Sequence, residues 1–167
     1  MKANLTFDFT VDKQNKTITV KREFAAALPL VWDAYTKSEI LDQWWAPKPW
    51  KAKTKVMDFK VGGRWQYAMV GPAGEEHWAL TNYTQIEPQK KFVGTDAFAD
   101  ANGKINEDMP QSKWEVLFSG QGEHTLVEIR ISYSDLAQLE ETIKMGFKEG
   151  LGMAMENLDA LLPSLQK

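Results

Sequence analysis

The sequence predicts an α+β fold. A curved antiparallel sheet wraps around one long C-terminal helix, two short helices stand beside it, and an apolar cavity lies between sheet and long helix. Three observations predict it. Six consecutive segments between Trp50 and Tyr133 have strand character and are joined by short turns, the pattern of an antiparallel meander. From Asp135 to Leu165, apolar residues recur at every third or fourth position, as in an amphipathic helix that is unstable alone in water. The strands have one apolar face, and the helix has one apolar stripe, so each covers the other.

The elements follow in order. Residues 5–11 alternate Leu5, Phe7, Phe9 and Val11 with polar neighbours. Asp12-Lys13-Gln14-Asn15 is a turn signal, and residues 17–24 alternate again, with Ile18, Val20 and Phe24 on one face; the two segments read as a hairpin. Over 28–45 the period lengthens: Val31, Trp32, Tyr35, Ile40, Leu41, Trp44 and Trp45 have helical spacing. Pro29 suits a first helical turn, a break near Thr36-Lys37-Ser38 divides the stretch into two helices, and Ser38 is the expected N-cap of the second. Pro47 and Pro49 end it.

Strands are then expected over 50–59, 64–70, 76–87, 91–99, 113–120 and 124–133. Gly62-Gly63, Gly71-Pro72-Ala73-Gly74, Pro88, a polar loop over 100–111 and Gln121-Gly122-Glu123 separate them. The last element is expected to be a single helix of about seven turns. Asp135 and Gln138 form its capping box, and Pro163 limits its end. With no repeat, low-complexity tract or linker, one domain over 1–167 is expected.

Composition narrows the function. The net charge of −3 offers no broad basic surface, so neither nucleic acid nor an anionic membrane is an expected partner. The absence of cysteine removes disulfides, thiolate metal sites and a cysteine nucleophile, and fits a reducing compartment. Residues 1–10 lack the apolar core of a signal peptide, and no run approaches the roughly 20 apolar residues of a membrane helix, so a cytoplasmic chain is expected. His77 and His124 have no carboxylate at metal-ligand spacing, and neither a nucleophile elbow nor a phosphate loop is present. The expectation is therefore no metal, no cofactor and no assigned catalytic residue. A cyclase- or hydrolase-like reaction would need a cavity His, Asp or Tyr.

Seven Trp, eight Phe, four Tyr and seven Met supply large side chains that can fill a core or surround a ligand. Strand 64–70 puts Trp65, Tyr67 and Met69 on one face. In the terminal helix Gly146, Gly150 and Gly152 each cost about 1 kcal/mol relative to Ala. They mark close backbone approach, a bend, or space for a ligand beside Phe147, Leu151 and Met155. The 100–111 loop has the length of a lid, and Met109 could close the cavity mouth opposite Trp44 and Trp45. With Trp78 and Trp114 from neighbouring strands, these residues make the candidate ligand-binding wall: Trp44, Trp65, Tyr67, Met69, Trp78, Met109, Trp114, Phe147, Leu151 and Met155. Arg22 shares the face of Ile18, Val20 and Phe24 and needs a partner there. It either pairs internally, with Glu115 or Asp96 as candidates, or anchors an acidic ligand group. Lys51, Lys53 and Lys55 alternate as a solvated outer face that guards a strand from edge pairing, or that attracts an acidic partner.

Several short motifs occur in a recognisable order. They run from Thr17-Ile18-Thr19-Val20-Lys21-Arg22-Glu23-Phe24 through Val31-Trp32-Asp33-Ala34-Tyr35-Thr36, Trp44-Trp45-Ala46-Pro47 and Gly62-Gly63-Arg64-Trp65 to Ile86-Glu87-Pro88 and Thr95-Asp96-Ala97-Phe98-Ala99-Asp100. They end with Gly146-Phe147-Lys148-Glu149-Gly150 and Asn157-Leu158-Asp159-Ala160-Leu161-Leu162. Together they resemble the AHSA1-like branch of the START/Bet v 1-like (SRPBCC) superfamily, over nearly the whole chain. The resemblance implies a helix-grip fold around a hydrophobic tunnel. It also implies a choice among the activities of that superfamily: lipid carriage, hormone reception, polyketide cyclisation and co-chaperone work. The branch is named for the domain that stimulates the Hsp90 ATPase. The expected partner is a small hydrophobic or amphipathic ligand, with a chaperone as the second candidate, and the expected state is a monomer or homodimer.

Overall fold

The alternating segments form eight strands in a computed structural model, which describes residues 7–166. They are β1 (Phe7–Asp12), β2 (Thr17–Phe24), β3 (Lys51–Met57), β4 (Arg64–Val70), β5 (Glu76–Glu87), β6 (Lys91–Ala99), β7 (Gln111–Gln121) and β8 (His124–Ser132). Leu5 and Thr6, expected to open the first strand, lie outside the described residues. All pairs are antiparallel, in the order β1-β2-β8-β7-β6-β5-β4-β3. The expected meander is therefore the run β3 to β8, and the N-terminal hairpin adds to it through β2, with Val20 opposite Ile129. Register shifts at Thr54/Val56 and Tyr83/Gln85 insert bulges, which bend strands and help curve the sheet.

Helices α1 (Leu28–Thr36) and α2 (Ser38–Trp44) carry the chain from β2 across to the far edge strand β3. Pro29 sits in the first turn of α1, where its missing N–H costs nothing. The N-cap of α2 is Lys37 and not Ser38. Lys37 has extended backbone angles and its carbonyl accepts from Ile40 and Leu41, so Ser38 is already helical and makes no side-chain cap.

The expected single terminal helix is two: α3 (Leu136–Lys144) and α4 (Phe147–Leu165). Gly146 breaks it with φ 87°, a left-handed conformation that costs other L-residues about 1–2 kcal/mol. Asp135 caps α3 by accepting from the Gln138 N–H at 2.8 Å. Pro163 lies inside α4, which runs on to Leu165; its missing N–H removes one hydrogen bond only in the last turn.

Ala154, Met155, Leu158 and Leu162 are buried along the second part of α4. Arg22 is 7% exposed. Its guanidinium stands 3.9 Å from Asp159 on α4, donates to the Glu23 carbonyl, and lies 4.9 Å from the Phe24 ring centroid. This internal pair excludes both sequence-stated candidates. Glu115 bridges Lys91 and Arg130, and Asp96 is on β6, with β7 and β8 between it and β2. Arg22 is also not part of the cavity wall, so it does not anchor an acidic ligand group. Among the described residues, no helix is long and apolar enough to cross a membrane.

Removing one partner of a buried ion pair strands the other charge. Asp159→Ala should therefore lower stability by about 3–5 kcal/mol in urea denaturation. Arg22→Met combined with Asp159→Leu should recover most of that loss.

Candidate functional site

Register decides which side chains look inward. Trp65 pairs with Thr81, Tyr67 with Ala79 and Met69 with His77; Thr81 in turn pairs with Asp96, and Ala79 with Phe98. Asp96 pairs with Ser112 and Gly94 with Trp114. These alternate positions form one continuous inner face. Opposite them stand Thr142 of α3, and Phe147, Gly150 and Leu151 of α4. Trp45 and Pro47 close one side, and Pro110 and Tyr133 help complete the wall. Together they line a half-open cavity of about 240 Å³. A second chamber of about 30 Å³ adjoins it; Trp45, Asp96 and Trp114 line both.

The indole N–H groups around the two chambers are satisfied by neighbouring side chains. Trp45 donates to the Tyr67 hydroxyl at 2.9 Å, Trp114 to Ser112 at 2.9 Å and Trp65 to Thr54 at 3.0 Å. The ring faces left for the cavity are therefore apolar. They are braced by neighbours: Trp65 stacks on Tyr67 at 4.1 Å, Trp45 lies 6.0 Å from Trp114, and Trp114 meets Phe147 edge-on at 5.9 Å.

Asp96 is the acid in this largely apolar lining. Its Oδ1 accepts from Thr81 at 2.7 Å, and no Lys or Arg among the described residues pairs with it. Burial pushes its carboxyl up to about 7, and the Thr81 hydrogen bond only partly opposes the rise. Tyr67, Tyr83 and Tyr133 are all raised, first by burial and further by the Asp96 charge. Tyr35 lines the smaller chamber, and its hydroxyl is buried without a hydrogen-bond partner among the described residues. No group of three His, Cys, Asp or Glu side chains there is placed to hold a metal.

Of the wall residues expected from sequence, the structure brings Tyr67, Met69, Trp114, Phe147 and Leu151 together around the cavity. Trp65 lines the smaller chamber instead. Trp44 is 1% exposed, packs on Tyr35 at 4.9 Å and donates to the Ala34 carbonyl; the next helical residue, Trp45, takes the cavity position. Trp78 is on the outer face, because its neighbours His77 and Ala79 hold the inward positions of β5, and Lys55 stands over its ring at 5.8 Å. Met155 lies in the closed core, one turn beyond Leu151. Met109 does not line the cavity, and its neighbour Pro110 does. The start of the 100–111 loop is tied to the outer face, where the Ala101 carbonyl accepts from Gln66 and Lys55.

Sequence reasoning missed Asp96, His77, Ser112, Tyr133 and Thr142 as wall residues. An acid inside the apolar run from Phe92 to Phe98 was the available signal for Asp96. Of the two histidines, exposed His77 reaches the cavity, whereas His124 sits 3.4 Å from Glu23 and is not in the lining. Gly150 lies at the wall, where an added Cβ would approach only Pro47, at 3.9 Å. Gly152 instead fits against Phe7, 3.6 Å from the position of such a Cβ.

The profile of the family described as "Activator of Hsp90 ATPase homolog 1-like protein" matches residues 25–163. A crystal structure of a protein from Mycobacterium smegmatis is 30% identical, with a TM-score of 0.86, covering 95% of this chain and 96% of that one. An NMR structure of a protein from Arthrobacter aurescens is 27% identical, with a TM-score of 0.88, covering 94% and 91%. The AHSA1 protein of Silicibacter pomeroyi shares the fold at 18% identity and a TM-score of 0.71, covering 90% and 99%. A comparison with curated protein sequences gives no match.

Asp96 makes stability depend on pH. Its carboxyl lies at about 7 when folded against an ordinary 3.8, so the folded state holds the proton more tightly. The contribution is fully present below pH of about 4 and is lost as pH rises through about 7. Asp96→Asn should therefore stabilise the protein by about 2–4 kcal/mol at pH 8 and leave it nearly unchanged at pH 4. Urea denaturation at the two pH values checks this.

Proposed function

The chain belongs to the activator of Hsp90 ATPase homolog 1-like family, and we propose that it acts as a cytoplasmic, single-domain binding protein for a small hydrophobic or amphipathic molecule held between sheet and terminal helices. One observation carries this reading: a cavity of about 240 Å³ persists where α4 faces the sheet, walled by Trp45, Tyr67, Met69, Trp114, Phe147 and Leu151. Cavities of this kind, largely apolar with a few polar groups, are the usual form of a small-molecule site. Burial of apolar ligand surface, worth about 25 cal/mol per Å² before ordering costs, would supply the affinity.

Two other readings have specific support. The family description favours stimulation of a chaperone ATPase. An Hsp90 ATPase assay should show a dose-dependent rise if that holds, and no change at saturating protein rejects it. Asp96, an acid titrating at about 7 inside the cavity, would suit general acid–base work in a cyclase- or hydrolase-like reaction.

Filling the cavity from α4 tests the leading reading. Wild type should take up the neutral fluorophore N-phenyl-1-naphthylamine. Leu151→Trp, from the cavity wall, should weaken that uptake at least about tenfold, with an unchanged circular dichroism spectrum. A wild type that binds no neutral apolar probe contradicts the reading.

A further inference from the structure

The cavity contains one feature that apolar burial does not explain. Asp96 presents a carboxylate to it with Oδ1 engaged by Thr81 and Oδ2 without a hydrogen-bond donor among the described residues. Buried carboxylates are ordinarily paired, as Asp159 is with Arg22 in this same chain. Among the described residues, no Lys or Arg lines either chamber. The groups that face Asp96 from the surrounding elements are Tyr67 of β4, Tyr83 of β5 and Tyr133 beyond β8, and Tyr35 of α1 lines the smaller chamber that Asp96 also lines. All four are held neutral by burial, and His77 is on the exposed side of the wall.

We propose that the ligand of this cavity carries a protonated amine on a compact apolar body, and that the amine seats on the free oxygen of Asp96. The inference rests on the reading of the cavity as a ligand site and names the class of ligand. Three physical arguments converge on it. An ionised carboxylate only accepts hydrogen bonds, so it calls for a donor, and a cationic donor makes the strongest bond to it. The cost of burying Asp96 is met when the chain folds, so an arriving ammonium gains the attraction without that penalty being incurred again. The aromatic side chains of Trp45, Tyr67, Trp114 and Phe147, which line the same cavity, favour a cation over an anion there. A fatty acid or other carboxylate, in contrast, would bring a second negative charge beside Asp96 and meets no Lys or Arg among the described residues of the wall.

Three ligands that share one ring system separate the possibilities: 1-naphthylmethylamine, 1-naphthalenemethanol and 1-naphthoic acid, titrated calorimetrically into wild type and Asp96→Asn at pH 8 and pH 5. For wild type at pH 8 the amine should bind about tenfold or more tighter than the alcohol, and the acid weakest. Lowering the pH to 5 protonates Asp96 and should remove most of the amine's advantage while leaving the alcohol unaffected. Asp96→Asn should bring the amine down to the alcohol at both pH values. If that variant does not fold, the wild-type pH comparison alone decides. Equal binding of amine and alcohol, tightest binding of the acid, or an unchanged pH dependence in Asp96→Asn overturns the amine assignment and leaves the cavity reading standing. Binding of none of the three overturns both.

Discussion

The structure depends on where the terminal helix is fastened. The second half of α4 is pressed into the core by Ala154, Met155, Leu158 and Leu162, and the buried Arg22–Asp159 pair joins it to β2. Asn157 adds a hydrogen bond to the Ala46 carbonyl at 3.1 Å, which ties the helix to the turn after α2. The first turns of α4 are positioned differently. Phe147 meets Trp114 edge to face, and Gly150 puts no side chain into the space between. A helix held along one half and propped on aromatic rings along the other leaves a gap at the propped end, and the cavity is that gap.

The left-handed turn at Gly146 makes this arrangement reachable. A single straight helix would fix the direction of α3 and α4 together. The break lets α3 take its own direction, capped by Asp135, and contribute Thr142 to the wall, while α4 follows its anchors. The two inward-facing acids then divide their roles. Asp159 is paired and fastens the fold. Asp96 has no ion-pair partner among the described residues, and its ionised form destabilises the folded protein. A destabilising group placed in the wall of a cavity is better explained by what the cavity does than by how the fold is held together.

Most of the architecture was legible in the sequence because alternation and helical spacing record which face is buried. β4, β5 and β6 fall on the residues whose pattern announced them, and Gly62-Gly63 forms the expected turn: a Cβ at Gly63 would collide with the Asp58 carbonyl. The break at Gly146 was less legible, since a glycine in an amphipathic run fits a bend, a close contact or a gap equally well. Half of the expected wall residues lie outside the main cavity for a different reason. Alternation within β5 does not say which of its two faces is concave; only pairing with Tyr67 and Met69 turns His77 and Ala79 inward and Trp78 outward. Trp44 and Trp45 are successive residues of one helix end, and only the packing on Tyr35 decides which is core. Size guided those choices, and size does not encode direction.

The central claim is that a void persists between the propped end of α4 and the sheet. A crystal structure of the ligand-free protein under xenon pressure tests it directly, because xenon enters apolar voids that side chains leave unfilled. Xenon should be found in contact with Tyr67, Met69, Trp114 and Leu151. Phe147 and Leu151 turned in against the sheet, with no xenon and no space between them, would contradict the account.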